Sequence, residues 1–334
     1  MKLLSLILFL VSLSTYGQKL APADVLTQII AHAETASLYR EQVDWPNLKH
    51  EMHSMASEAD STEQLKPALD HMLKELGDDH GRIIHKGRFL SYYSGEKKVH
   101  LEHIDTETFN KIQSGQVYPF TTRLIDHKTG YVRIVGLPMG DNEQMSAEIQ
   151  DAVCDLIHQG ADRWIIDLRY NGGGNMFPMV EGIAHIIGDG HVGGTKGVTH
   201  EESSIWKIEK GDFFYDDQTV ALTNTCATPS VPPIAVLTST YTASSGEALA
   251  VILKQRENTR FFGQNTMGKI TATDWTQIDE ETAMMISVSY YVDRSGNVYD
   301  TFVDIDEEIP FDPKSDSEND EGIIHAMEWL KATK

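Results

Sequence analysis

Twice in this chain a short run of apolar residues leads through a turn of small residues into a helical pattern. The runs are Trp164-Ile165-Ile166-Asp167-Leu168 and Ile234-Ala235-Val236-Leu237. A strand that is apolar on both faces has none to show to water, so it must lie inside a sheet covered on two sides. Helical spacing supplies the cover, at Ile149, Val153, Leu156 and Ile157, across residues 179–187, and at Ala248, Leu249, Ile252 and Leu253. Strands alternating with helices in this way predict an α/β core. Further strands are expected at 131–135, 260–262 and 282–292, and a last helix at 323–330 after an acidic surface stretch at 312–321.

Ahead of this core the pattern is helical. Val25, Ile29 and Ile30 share one face, as do Leu65, Leu69, Met72, Leu73 and Leu76. Ser61 and Gln64 have capping-box spacing, and Gly77 ends the second helix. Residues 18–85 are therefore expected to form a helical N-terminal domain, 86–128 a mixed connecting segment, and 129–334 the core. Lys2, an apolar run at 3–13 and Thr15-Tyr16-Gly17 read as a secretory signal over residues 1–17. The mature chain is then exported, to a periplasm or the exterior, with no membrane span. Export permits a disulfide between Cys154 and Cys226, although Cys154 falls in a helical pattern and reads as a small core residue.

Twenty-eight basic against 50 acidic residues give a net charge of −22. Such a surface repels phosphate backbones and anionic membranes, which excludes nucleic acid as a partner. Two cysteines without matched histidine spacing make no zinc site, and no metal or organic cofactor is expected.

Two segments are able to carry chemistry. Asp167-Leu168-Arg169-Tyr170-Asn171-Gly172-Gly173-Gly174 lets backbone N–H groups converge with no side chains in the way. It has neither a Walker nor a dinucleotide spacing, and by itself it is equally a tight strand-to-helix turn. Thr242-Ala243-Ser244-Ser245-Gly246-Glu247 starts a helix. Ser244 and Glu247 make a capping box that needs no catalysis, yet a serine there also sets a developing oxyanion against the positive helix end. Lys269 follows 25 residues later, in Gly268-Lys269. A buried, uncharged lysine is a competent base.

The order of these motifs resembles the tail-specific, or C-terminal processing, serine peptidases, whose wider family includes the core of tricorn protease. The resemblance implies a crotonase/Clp-protease-type core with a helical N-terminal domain, and acyl transfer to a peptide or protein substrate. It implies Ser244 as nucleophile, Lys269 as base, and Gly172 or Gly173 with the Ser245 N–H as oxyanion hole. Leu76-Gly77-Asp78-Asp79-His80 adds a rival base. In the tricorn branch a histidine at the matching place does this work, and an ordinary imidazole titrates near neutrality without burial. Three departures stand out. Thr273 occupies the place of an orienting glutamine. Asp304 or Asp306 only approximates the tricorn branch's orienting acid. The space between His80 and Gly130 is too short for the PDZ module of many relatives. An inactive relative that binds peptides or apolar ligands is the alternative. His71 and His185 read as structural or solvated.

Overall fold

The computed structural model describes residues 19–95, 104–115, 117, 119–220, 222, 226, 231–313 and 319–333. The signal reading at 1–17 lies outside them. Among the described residues no helix is long and apolar enough to cross a membrane. The chain forms two units.

The first unit holds the described residues up to Gly95 together with Asp274–Ile286. Its helices are α1 (Pro22–Ala36), α2 (Trp45–Met55) and α3 (Lys66–Leu76). Their buried faces carry Val25, Ile29, Leu48, Met52, Leu69 and Met72. Gly77 ends α3 at φ +69°, and the Asp78 N–H reaches back to the Leu73 carbonyl, a left-handed cap that suits glycine. At the other end Ser61 makes no side-chain cap: a 3-10 turn, Thr62–Leu65, comes first. Gln64 instead accepts the Asp60 N–H at 2.8 Å. Strands β1 (Arg82–His85) and β2 (Arg88–Tyr92) form a hairpin around Lys86 and Gly87, both at positive φ, as a two-residue turn demands.

The second unit adds α4 (Thr106–Gln113), β3 (Phe120–Leu124), β4 (Thr129–Ile134), α5 (Asn142–His158), β5 (Arg163–Asp167), α6 (Met176–Glu181) and α7 (Ala184–Ile187). Next come β6 (Gly190–Lys196), β7 (Ser204–Glu209), β8 (Asp212–Tyr215), β9 (Gln218–Thr219), β10 (Ile234–Thr238), α8 (Ser245–Leu253) and β11 (Thr259–Gly263). Strands β12 (Thr271–Gln277) and β13 (Thr282–Asp293) contribute to both units; β14 (Val298–Tyr299), β15 (Glu307–Glu308) and α9 (Glu321–Ala332) complete the second. Residues 282–285 of β13 pair with β1 in the first unit, and residues 290–293 pair with β6 in the second.

A six-stranded sheet, ordered β15-β11-β10-β5-β4-β3, carries the second unit's core. Its strands are parallel except for β3, which is antiparallel to β4. One face packs Val132, Ile166 and Val236 against α5, α6 and α8. The other packs Ile165, Ala235 and Leu237 against α9. Cover on both sides is why β10 is buried at every position and why its sequence is an unbroken apolar run. Strands β6 to β9 are antiparallel, and β7 alternates between buried and open positions.

The architecture corrects the implied crotonase/Clp-protease core. It is a different mixed α/β arrangement, with the buried parallel strands in one layer and a partly open antiparallel sheet beside them in sequence. Local apolar patterns specify that a strand is buried but not which strands it lies between. The helix expected at 179–187 is also divided: Gly182 and Ile183 separate α6 from α7. Cys154 and Cys226 are joined in a disulfide, with Cα atoms 5.4 Å apart. The core placement expected of Cys154 is met, since it is buried on α5, but the residue is also a cross-link.

Candidate active site

From Ile234 to Lys254 every residue is buried except Ser244. The chain leaves β10, turns through 239–243, and enters α8 just after this serine. Ser244 has φ +53° and ψ −119°, a backbone conformation that disfavours any residue with a Cβ. The surroundings hold it there. The Ala243 N–H donates to the Asn171 carbonyl at 2.8 Å, the Thr242 hydroxyl to the Leu168 carbonyl at 2.8 Å, and the Ser245 hydroxyl to the Gly174 carbonyl at 2.6 Å. A strained strand-to-helix turn that pushes one hydroxyl outward is a recurrent way to present a nucleophile.

The hydroxyl faces the glycine turn. A Cβ built on Gly173 would lie 2.8 Å from the Ser244 Cβ and 3.3 Å from its Oγ, and Gly173 has φ +101°. Gly174, at φ +107°, would drive a Cβ into the Leu137 carbonyl. Only glycine fits at either position. The Gly172 N–H donates to the Val135 carbonyl at 3.0 Å, and the Gly173 N–H to Asn171 Oδ1 at 3.0 Å. The Ser245 N–H opens α8 and has no acceptor within the helix.

Glu247 does more than cap. Its fully buried carboxylate accepts the Ser244 N–H at 2.9 Å, the Thr266 hydroxyl at 2.5 Å and the Gly268 N–H at 2.7 Å, and it also bonds the Lys269 backbone N–H. The Met267 N–H adds a bond to the Thr242 carbonyl at 2.8 Å. One acid thus ties the serine turn to the backbone of the segment that carries Lys269. Burial pushes this acid up to about 7, although Thr266, Gly268, Ser244 and Lys269 all pull the other way. Lys269 itself is half-buried.

His80 belongs to the first unit, where it is buried beyond the end of α3. Asp78 Oδ1 accepts both its N–H, at 3.1 Å, and that of Gly81, at 2.8 Å. Asp304 pairs with Lys254 at 3.2 Å, and Asp306 accepts the Phe261 N–H at 2.7 Å. Both carboxylates therefore have partners of their own, on the β11 side of the sheet.

A support that no local sequence pattern announces lies beneath the glycine turn. Asp167, fully buried, receives Arg169 Nε and Nη2 at 3.0 and 2.7 Å and the Tyr131 hydroxyl at 2.6 Å. Arg169 also forks onto Asp320, at 2.8 and 2.7 Å. Burial alone would raise Asp167; the charge and hydrogen bonds of Arg169, with Tyr131, reverse this and hold it below the ordinary carboxylate range. Asp167 and Arg169 stood in the motif, but Tyr131 and Asp320 gave no signal, being ordinary residues far away in sequence.

Stability should fall as the pH rises from about 5 to about 8. Burial raises Glu247 to about 7 and Glu181 to about 8. The folded state then holds protons that the unfolded chain releases near 4.5, so their contribution is complete at acid pH and lost as pH passes the folded values. For Glu247 a shift of this size corresponds to about 3 kcal/mol. Thermal midpoints across this range should show the slope, and Glu181→Gln should flatten part of it. A midpoint that climbs from pH 5 to pH 8 would contradict the assignment.

A family model described as Peptidase family S41 matches residues 128–309. The Nisin-resistance protein of Lactococcus lactis subsp. lactis is 22% identical over 314 residues, covering 93% of this chain and 88% of that protein. A solved lipoprotein from Streptococcus agalactiae shares the fold with a TM-score of 0.69 at 19% identity, over 96% of this chain and 99% of that one. The photosystem II D1 C-terminal processing protease does so with a TM-score of 0.58 at 16% identity, over 89% and 94% of the two chains. These near-complete matches replace the crotonase/Clp expectation with the processing-peptidase architecture. The family match takes in the glycine turn, the serine turn and the Lys269 segment together, across more than half of the sequence, so the chain belongs to peptidase family S41 and is a serine-type peptidase.

Proposed function

We propose that this peptidase cleaves through a covalent acyl-enzyme on Ser244. The observation that carries the reading is that one strained, half-exposed serine stands over Gly173 within an otherwise buried segment. Its Oγ attacks the scissile carbonyl as a base takes the hydroxyl proton. The tetrahedral intermediate collapses, the leaving amine receives that proton, and water then hydrolyses the ester. The Ser245 N–H is the first oxyanion donor. The Gly173 N–H is the second, since its present acceptor is a side chain; the Gly172 N–H, already on a backbone carbonyl, is a weaker candidate. Each such donor is typically worth about 10²–10³ in rate.

Two groups compete as base. Lys269 is supported by the Glu247 carboxylate that ties its backbone to the serine turn. His80 is supported by the chemistry of imidazole, a neutral ring nitrogen that accepts a proton without first losing a charge, and by the Asp78 turn that fixes its backbone. The Cys154–Cys226 disulfide supports export to an oxidising compartment.

A fluorophosphonate probe should label Ser244, as read by peptide mass spectrometry. The pH–rate profile then separates the bases. A limb near pH 6–7 that vanishes in His80→Ala assigns the histidine, and a limb that vanishes in Lys269→Ala assigns the lysine. Absence of labelling at Ser244 in protein that cleaves no peptide would leave the inactive, ligand-binding relative.

A further inference from the structure

A cavity of about 260 Å³ opens in the second unit, lined by Thr121, Arg123, Arg133, Arg169 and Tyr170 among others. Its three guanidinium groups are in different states. Arg169 is saturated by Asp167 and Asp320. Arg133, on β4, is half-buried: its Nη2 makes one long bond to the Thr121 hydroxyl, at 3.4 Å, and its Nε is buried with no acceptor. Arg123, on the edge strand β3, stands exposed at the rim. Both side chains lie over tyrosine rings, Arg123 at 4.9 Å from the centre of Tyr131 and Arg133 at 5.8 Å from that of Tyr170. Among the described residues no carboxylate is within ion-pair distance of Arg123 or Arg133, whereas Arg169 has two. Among the described residues, Arg169, Asp167 and Asp320 together carry −1, and Arg123 and Arg133 bring the sum of these five groups to +1, in a chain of net −22. A buried N–H donor with no acceptor is costly, and the planar guanidinium fork matches a carboxylate.

The backbone links this cavity to the candidate active site. Tyr170 precedes Asn171, whose carbonyl holds Ala243 and whose Oδ1 holds the Gly173 N–H. Arg133 lies two residues before Val135, whose carbonyl takes the Gly172 N–H. The ends of β4 and β5 therefore shape both the cavity and the glycine turn.

We propose that this cavity is a carboxylate-binding subsite for the peptide substrate, with Arg133 as the inner contact and Arg123 at the entrance. The inference rests on the peptidase reading and adds to it a preference for anionic peptides. A free C-terminal carboxylate and an acidic side chain offer the same chemistry, and peptide design separates them.

The test measures binding on full-length Ser244→Ala protein, so it does not depend on turnover. Three fluorescein-labelled random decapeptide pools serve as probes: one with free C-termini, one amidated, and one amidated and lacking Asp and Glu. Fluorescence anisotropy should show the third pool binding about tenfold or more weakly than the first, as expected for one charge-assisted pair. The amidated pool containing Asp and Glu follows the first if side chains are read, and the third if the C-terminus is read. In Arg133→Gln the ratio between the first and third pools should fall to about one. Arg123→Gln, at an exposed position, should reduce it in part and guards against misfolding of the Arg133 variant. Equal binding of all pools, no binding of any, or a ratio that survives both substitutions overturns the subsite. Failure of the peptidase reading appears separately, as wild-type protein that cleaves no peptide.

Discussion

Ser244→Gly is expected to abolish peptide hydrolysis and, at the same time, to raise the thermal midpoint. Loss of a nucleophile in a serine hydrolase typically removes about 10⁴–10⁶ of the rate, because the rest of the constellation has nothing to activate. The stabilisation has a different source. At φ +53° and ψ −119° a side chain costs on the order of 1–3 kcal/mol that glycine does not bear. Glycine also enlarges the unfolded ensemble, which returns roughly 0.4–1 kcal/mol of that, so a net gain of about 1 kcal/mol remains. Ser244→Ala separates the effects: it should be as inactive as the glycine variant, without its gain, since alanine keeps the Cβ. Turnover in Ser244→Ala above about 1% of wild type, on the same general scale of nucleophile loss, would remove the serine from the mechanism. Equal midpoints for the two variants would show that the turn is not strained.

The strain at Ser244 also marks where sequence stops being informative. Residues 234–237 and 164–168 were legible as buried strands because a fully covered strand has little freedom in composition. Ser244 and Glu247 were legible as a capping pair for a similar reason, since local spacing encodes local hydrogen bonds. The second use of Glu247, bridging to Thr266 and Gly268, was not, because nothing near residue 247 records what folds back onto it. The same holds for 274–286, which sit at the edge of a core segment in sequence yet belong to the N-terminal unit. Ser61 and Gln64 show the converse failure: their spacing suited a capping box, but an intervening 3-10 turn moved the Gln64 oxygen onto Asp60. Cys154 and Cys226 are 72 residues apart, and no local rule pairs them.

Arg169→Gln is the substitution with the largest expected cost in stability, about 3–5 kcal/mol at neutral pH. The guanidinium serves two acids, and removing it leaves Asp167 wholly buried with only the Tyr131 hydroxyl and the residue-169 backbone N–H as donors. An anion so placed pays its desolvation without compensation, so its pKa rises instead of lying below the usual range. The sign of the pH dependence follows. In the wild type Asp167 is held low, so its contribution is present above the unfolded value and lost only in strong acid. In the variant the folded value lies above the unfolded one, so the penalty should be smallest near pH 4 and largest above pH 7. Chemical denaturation at both pH values reads this directly. Replacing the acid as well, as Asp167→Asn with Arg169→Gln, should recover part of the loss at pH 7, because no buried charge then stands alone. A penalty independent of pH would mean that Arg169 acts by packing on Phe311, over which its guanidinium lies at 4.7 Å, and not by neutralising Asp167. The glycine turn begins three residues beyond Arg169, at Gly172, and the Arg169 carbonyl accepts the Ser239 hydroxyl from the segment leading to Ser244. Catalysis should therefore weaken along with stability, and acid should restore folding more fully than it restores turnover.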